Sequence, residues 1–421
     1  MITGMGIQCA GAKSIDEFVE TLREGRQSFS CLLDEQTGAT QIAALLRGFA
    51  LEEQLNLLAQ LPPELLEKAR RYSLRAPLPI QTSVVSVLQA WQQARLHEFN
   101  VPADRIGVVV ACDNASQQYQ YDMQVKFMQA PDSLSPRYML HALPTDHVGT
   151  ISALLNIHGE GFTVGGASAS GNVAILKASQ LIAWGVVDVC IVVGVLSELS
   201  PLARQGFYNA GILGGGTVKD HPEKACRPFD RDHDGFIYGQ GSGCLVLESD
   251  DSIKARGIQP LAHLLSAVLV LDGNLDPNPS EVGEANAMIQ CLHKARLQPH
   301  QVDYINTHGS SSPLGDLTEI KAIKKVFQNQ LDKIWINATK GLIGHCLFSA
   351  GVLEAIACIV QMKNNFIHPN LNLWHPIDSD CRFANEKASA ANLNIVMSNS
   401  FGFGGINTSI LLGNSLKQES F

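Results

Sequence analysis

The chain has 421 residues, 45% of them apolar and only 17% charged. That balance excludes an intrinsically disordered chain, which shows the reverse. With 31 basic and 40 acidic side chains the net charge is −9, which argues against general nucleic-acid binding, because phosphate recognition needs a basic surface.

The length corresponds to about three domains, or one large layered one, at roughly 150 residues per domain. The 36 glycines fall in short runs between apolar segments, a pattern that suits an α/β enzyme with many tight turns. Ile2 to Ile7 reads as a strand feeding a turn. The opening Met1-Ile2-Thr3-Gly4-Met5-Gly6 has neither a basic nor an apolar leader region, so no signal peptide is expected. Ser14-Ile15-Asp16-Glu17 is expected to form a capping box, with Glu17 reaching back to Ser14. Residues 34–75 alternate helical and loop patterns and are expected to form a cap or insertion, not a sheet. Arg105 to Ala111 is continuous, apolar and β-branched, which predicts a buried strand.

Two later segments share a layout. One runs from Phe162 through Gly165-Gly166-Ala167-Ser168-Ala169-Ser170-Gly171 into Asn172–Trp184. The other runs from Trp335 through Lys340-Gly341-Leu342-Ile343-Gly344-His345 into Ala350–Met362. Each is a short strand, a glycine-rich turn and a helix apolar on most sides, hence buried. The repetition predicts a duplicated α/β fold, with halves 1–255 and 256–421 divided where Glu248-Ser249-Asp250-Asp251 and Gly257 interrupt the apolar pattern. No stretch reaches the roughly 18 uncharged apolar residues of a membrane span; Val186 to Leu196 is cut by Asp188. The ten cysteines are scattered singly, without a C-x-x-C pair. No zinc site, other metal site or redox dithiol is expected, and a reducing cytoplasm is the expected location.

Candidate chemistry lies in the second half. In the stretch from Val302 to Asp316, around Asp303, a short strand ends at His308, followed by Gly309 and three serines, Ser310 to Ser312. Asp316 and Glu319 are expected to form another capping box. A second histidine, His345, closes the Lys340–His345 run. Alone, either reads as an ordinary turn or helix-start histidine. Together, at strand ends of one half, they fit the rule that active residues of α/β sheets gather at the carboxyl ends of strands.

Over nearly its whole length the sequence resembles the β-ketoacyl-ACP synthases of the thiolase superfamily. The matching blocks are Ile2–Gly6, Ala167–Gly171, Cys226-Arg227-Pro228-Phe229-Asp230-Arg231-Asp232, Asn306–Asp316, Lys340–His345 and Asn399–Asn407. The resemblance implies a thiolase-like, duplicated five-layer α-β-α-β-α fold. It also assigns His308, Lys340, His345, Glu354 and Phe403 to a site. Where that family carries a nucleophilic Cys in T-A-C-A-S-G, this chain reads Gly166-Ala167-Ser168-Ala169-Ser170-Gly171, so Ser168 stands in place of the thiol. Smaller departures are His308-Gly309-Ser310-Ser311-Ser312 for H-G-T-x-T, Gly239-Gln240-Gly241 for G-E-G, and Gly194-Val195 for a glycine pair.

A thiol at a helix N-terminus ionises readily because its pKa starts near about 8.5. A hydroxyl needs a dedicated base. The resemblance gives the two histidines a different task, donating N–H bonds to a malonyl thioester carbonyl, so Ser168 is expected to be a poor acyl acceptor. Decarboxylation needs no acceptor. The resemblance therefore implies a malonyl-ACP decarboxylase, similar to the Cys-to-Ser ketosynthase-like enzymes of polyketide β-branching cassettes. Lys340 and Glu354 would orient the histidines and Phe403 would gate the pocket. Two alternatives are a silent, chain-length-factor-like partner of a ketosynthase and a serine-using acyltransferase. The expected partner is an acyl carrier protein, whose phosphopantetheine arrives as part of the substrate, so no separate cofactor is expected. Docking candidates are Arg70, Arg71 and Lys219, because an acidic carrier needs a basic patch. A homodimer through the strand near Gly161–Gly165 is expected, with neither nucleic acid nor membrane as partner.

Overall fold

The computed structural model describes residues 1–33, 38, 40–275 and 277–415. Ten strands make the central sheet: β1 Ile2–Cys9, β2 Ile106–Ala111, β3 Gly161–Val164, β4 Val189–Gly194, β5 Gly241–Glu248, β6 Ala262–Leu271, β7 Tyr304–Asn306, β8 Trp335–Asn337, β9 Ile395–Gly402 and β10 Ile406–Asn414. Their order is β8-β7-β9-β10-β6-β1-β5-β4-β2-β3. Counted within each set of five, this is 3-2-4-5-1 followed by its mirror, so the same topology occurs twice. The two leaves join through one pair, Ile2 with Ala262. β2 and β4 are buried along their whole length, as expected of parallel strands covered on both faces. The expected boundary at 255/256 falls near the end of the helix Asp250–Arg256, which lies between β5 and β6.

Six helices complete the layers: α1 Leu78–Gln93, α2 Thr145–Leu155, α3 Ser170–Ala183, α4 Glu281–Ala295, α5 Pro313–Phe327 and α6 Ala350–Asn364. α1 and α2 cover the outer face of the first leaf; α4 contacts β6 and β10 on the outer face of the second and packs on α5. α3 and α6 touch each other and strands of both leaves, giving five layers. Their apolar surfaces on nearly all sides follow from that double burial. The segment Leu347–Asn364 has the length and mean hydropathy (1.2) of a bilayer span, although Glu354 and Lys363 interrupt it, and 83% of it is buried inside the protein. α3 and α6 cross where backbone meets backbone. A Cβ at Gly171 would lie 2.6 Å from the Val352 nitrogen, and one at Gly351 would lie 2.7 Å from the Asn172 nitrogen.

Three local expectations are corrected. Thr40–Ala44, inside the segment expected to lack sheet, pairs with Phe29–Leu33 and with Tyr238–Gly239; its buried Ile42, Ala43 and Ala44 cover a small core. Residues 34–37 and 39 of that segment lie outside the described residues, and Leu51–Asn56 and Pro63–Ser73 are helices. Ser14 caps its helix by accepting from the Glu17 N–H, but Glu17 accepts from the Lys13 N–H at 2.7 Å and not from Ser14. Asp316 and Glu319 form no capping box. α5 begins three residues earlier, at Pro313, because proline fits the first helical turn, and both carboxylates serve the site instead.

Candidate active site

The duplicated topology places two equivalent turns at the starts of α3 and α6. In the first half, Ala167–Ala169 forms a single 3₁₀ turn before α3, with Ala167 in the left-handed region at φ 48°. The Ala167 N–H donates to Asp113 Oδ2 at 3.1 Å. This turn presents Ser168. In the second half, Leu347–Ser349 forms the same turn before α6, with Leu347 at φ 52°. A left-handed non-glycine residue costs about 1–2 kcal/mol, and here it aims a donor: the Leu347 N–H points at His345 Nδ1, 3.1 Å away. The His345 backbone is tied to the first half, donating to the Ile237 carbonyl at 2.7 Å.

His308 sits just past the end of β7. Its own N–H and that of Gly309 donate to the two oxygens of Glu319, at 2.9 and 2.8 Å. Asp316 accepts from the Ser311 and Phe229 N–H groups at 3.1 and 2.7 Å. Ser311 and Phe229 both have φ near +66°, so Asp316 ties two strained loops together while Glu319 holds the His308 loop. Burial pushes Glu319 up to about 7 and Asp316 up to about 6, opposed by those N–H donors.

Lys340 is buried beneath His308. Its ammonium donates to the His308 carbonyl at 2.6 Å, lies 3.5 Å from His308 Nδ1, and pairs with Glu354. Burial raises the Glu354 carboxyl above its ordinary range, with Lys340 opposing. Ser400 Oγ donates to the other Glu354 oxygen at 3.2 Å. A cation beside Nδ1 of His308 and an N–H beside Nδ1 of His345 assign the same tautomer to both rings, with the proton on Nε2. The rings meet edge to face, centroids 5.4 Å apart. Burial and then the Lys340 charge hold both pKa values well below the usual histidine range. Both are neutral at pH 7, each with one N–H to give.

Ser168, His308, His345 and Phe403 line one cavity of about 460 Å³. Phe403, at the tip of the β9–β10 hairpin, is 47% exposed. The preceding Gly402 lets the hairpin touch the serine turn: a Cβ there would lie 2.3 Å from the Gly166 carbonyl oxygen. No hydrogen bond joins Ser168 Oγ to either histidine among the described residues, and no cysteine lines the cavity. Lys340 and Glu354 lie behind the wall and do not line the cavity; Lys340 touches His308, and Glu354 reaches it only through Lys340. Arg70, Arg71 and Lys219 are also outside the lining. Arg70 pairs with Glu52 at 2.8 Å and Arg71 stacks over Tyr72. Lys219 is exposed two residues beyond Thr217, which bonds to Asp234 beside the cavity-lining Gly235. Sequence reasoning missed the roles of Asp316, Glu319 and the Leu347 N–H. The D-x-x-E spacing was visible, but only the position of the helix start shows which way it faces. Asp230, Asp232 and His375 also cluster, but Asp230 accepts the Asp232, Trp374 and His375 N–H groups and so ties a loop.

The same architecture recurs in known proteins. Residues 1–252 match the model of the β-ketoacyl synthase N-terminal domain, and residues 261–374 that of the β-ketoacyl synthase C-terminal domain. The polyketide biosynthesis malonyl-ACP decarboxylase PksF of Bacillus subtilis (strain 168) is 36% identical over 416 residues, spanning 98% of this chain and 96% of the relative. The 3-oxoacyl-[acyl-carrier-protein] synthase 2 of Coxiella burnetii is 29% identical over 418 residues, 98% of this chain and 97% of the relative. The crystal structure of a β-ketoacyl synthase from Burkholderia phymatum STM815 superposes with a TM-score of 0.85 at 28% identity, covering 98% of each chain. With its thiolase-like fold and its full-length match to these domains, the chain belongs to the β-ketoacyl synthase family.

Proposed function

We propose that this chain decarboxylates malonyl-ACP to acetyl-ACP and does not condense acyl chains. The observation that carries the reading is the pair of neutral imidazoles, each with Nδ1 engaged, sharing a cavity with a serine that has no base. The thioester carbonyl accepts from both Nε2–H groups. The C–C bond to the carboxylate breaks and carbon dioxide leaves. Its electron pair forms the enolate, whose charge rests on the oxygen held by the two donors. One such donor is worth about 2.7–4 kcal/mol. Protonation at carbon then gives the acetyl thioester. Its resemblance to PksF supports the same substrate.

A malonyl-ACP incubation followed by intact-carrier mass spectrometry tests this: the carrier loses the mass of carbon dioxide, and an unchanged mass refutes it. Ser168→Ala is expected to keep the rate within about tenfold of wild type, since the hydroxyl has no activating base; a larger loss would make Ser168 a participant. The same experiment separates the alternatives. A silent partner leaves malonyl-ACP intact, and a serine acyltransferase accumulates acyl-Ser168. Neither accounts for the held histidines and the unassisted hydroxyl.

The proposal extends to the setting. The acetyl-ACP product suits a hydroxymethylglutaryl-synthase-like enzyme of a cytoplasmic polyketide β-branching cassette. The carrier docks on Lys219, Arg70 and Arg71, and Phe403 gates its arm. The unpaired side of β3, the last strand of the sheet, supports a homodimer, since a bare edge invites pairing.

A further inference from the structure

The reaction leaves one requirement unmet by the residues above: an enolate needs a proton at carbon, and neither neutral histidine can give one without becoming an anion. A buried acid lines the same cavity. Glu284, in the first turns of α4, is 1% exposed, borders the cavity together with His308 and Phe401, and its Oε2 has no hydrogen-bond partner. We infer that Glu284 supplies the proton that turns the enolate into the acetyl methyl group. The inference rests on the decarboxylase reading.

The surroundings of Glu284 favour the neutral acid. α4 packs on β6, β10 and α5. From those elements and the residues joining them, Asp272, Asp316 and Glu319 face it, with Glu281 on its own helix. Asp272 also lines the cavity and is bonded by Asn407 Nδ2 at 2.7 Å. Glu319 is committed to the His308 loop and also bonded by Asn399 Nδ2 at 3.3 Å. The Lys340 ammonium is turned to Glu354 and the His308 carbonyl, and both histidines are neutral. Burial first, then the three carboxylates and Glu281, hold the Glu284 carboxyl well above its usual range. The neutral acid is therefore favoured, and it loses its proton as pH rises through the raised pKa. In the step itself the Glu284 O–H breaks, its proton forms the third C–H bond of the methyl group, and the enolate electron pair closes back to the thioester carbonyl. The carboxylate left behind regains a proton from water once the product departs.

Glu284→Gln keeps the shape and removes the acid, and Glu284→Asp keeps an acid on a shorter arm. Both are assayed as full chains with malonyl-ACP across pH, with and without ¹³C-labelled carbon dioxide. Wild type should lose activity as pH rises. Glu284→Gln should be about 100-fold slower, the typical contribution of a positioned acid, with that alkaline limb gone. Its unquenched enolate should recapture labelled carbon dioxide, so ¹³C enters the remaining malonyl-ACP. Glu284→Asp should keep an alkaline limb and incorporate less label. A wild-type rate, an unchanged limb and no label in Glu284→Gln would overturn the role; should that variant not fold, a Glu284→Asp profile identical to wild type in rate and midpoint would do so. Carbon dioxide release by wild type reports separately on the decarboxylase reading, since it precedes the proton transfer.

Discussion

His308→Ala and His345→Ala should each lower the rate of malonyl-ACP decarboxylation by about 10²–10³-fold, the loss seen when one oxyanion donor is removed. The effect should fall on kcat, because the bond to the carbonyl oxygen strengthens as charge builds there. The double variant should lose less than the product of the two, since both donors serve one oxygen. The signs of the pKa shifts add a second test. Both rings are held below the usual histidine range, so each stays neutral, with Nδ1 free to accept, well into mildly acidic solution. The rate should show no acid limb centred near 6.5, the value of a free histidine. Rates measured between pH 5 and 8 by carrier mass spectrometry check this, and a loss of activity on crossing 6.5 would contradict the tautomer assignment.

Lys340→Met should be the most destabilising change near the site. The Lys340–Glu354 pair is 2% exposed on both sides. Breaking such a pair from one side leaves a buried charge and costs about 3–5 kcal/mol. Urea denaturation should show the loss, and the Lys340→Met, Glu354→Leu double variant should recover part of it, because no lone charge remains. Activity should stay low in the double variant, since Nδ1 of His308 has lost the ammonium that fixes its tautomer. Recovery of activity along with stability would mean that Lys340 only fills space.

Much of this was legible in the sequence for a physical reason. Strands such as Ile106–Ala111 are buried on both faces and so appear as unbroken apolar runs. The repeated strand, turn and helix around Ser168 and His345 announces the duplication, since each half must solve the same packing problem. Ser168 itself is read directly. What the sequence hides is direction. Asp316 and Glu319 look like helix caps until the start of α5 at Pro313 turns them toward the His308 loop. Thr40–Ala44 looks like loop because its partners, Phe29–Leu33 and Tyr238–Gly239, include one about two hundred residues away. Glu284 carries no local pattern; its meaning comes from the cavity and the carboxylates that other elements bring to it.

The meeting of Gly171 with Gly351 has a consequence for how such a chain can change its chemistry. The helices that follow the serine turn and the imidazole turn are spaced where Gly171 and Gly351 meet the facing backbone and the Asn172 side chain, and residue 168 is not part of that contact. A sulfur can become an oxygen at position 168 while the rings stay where they are. On the proposed reading, such an exchange removes acyl storage and leaves the pair of donors intact, on one unmoved frame.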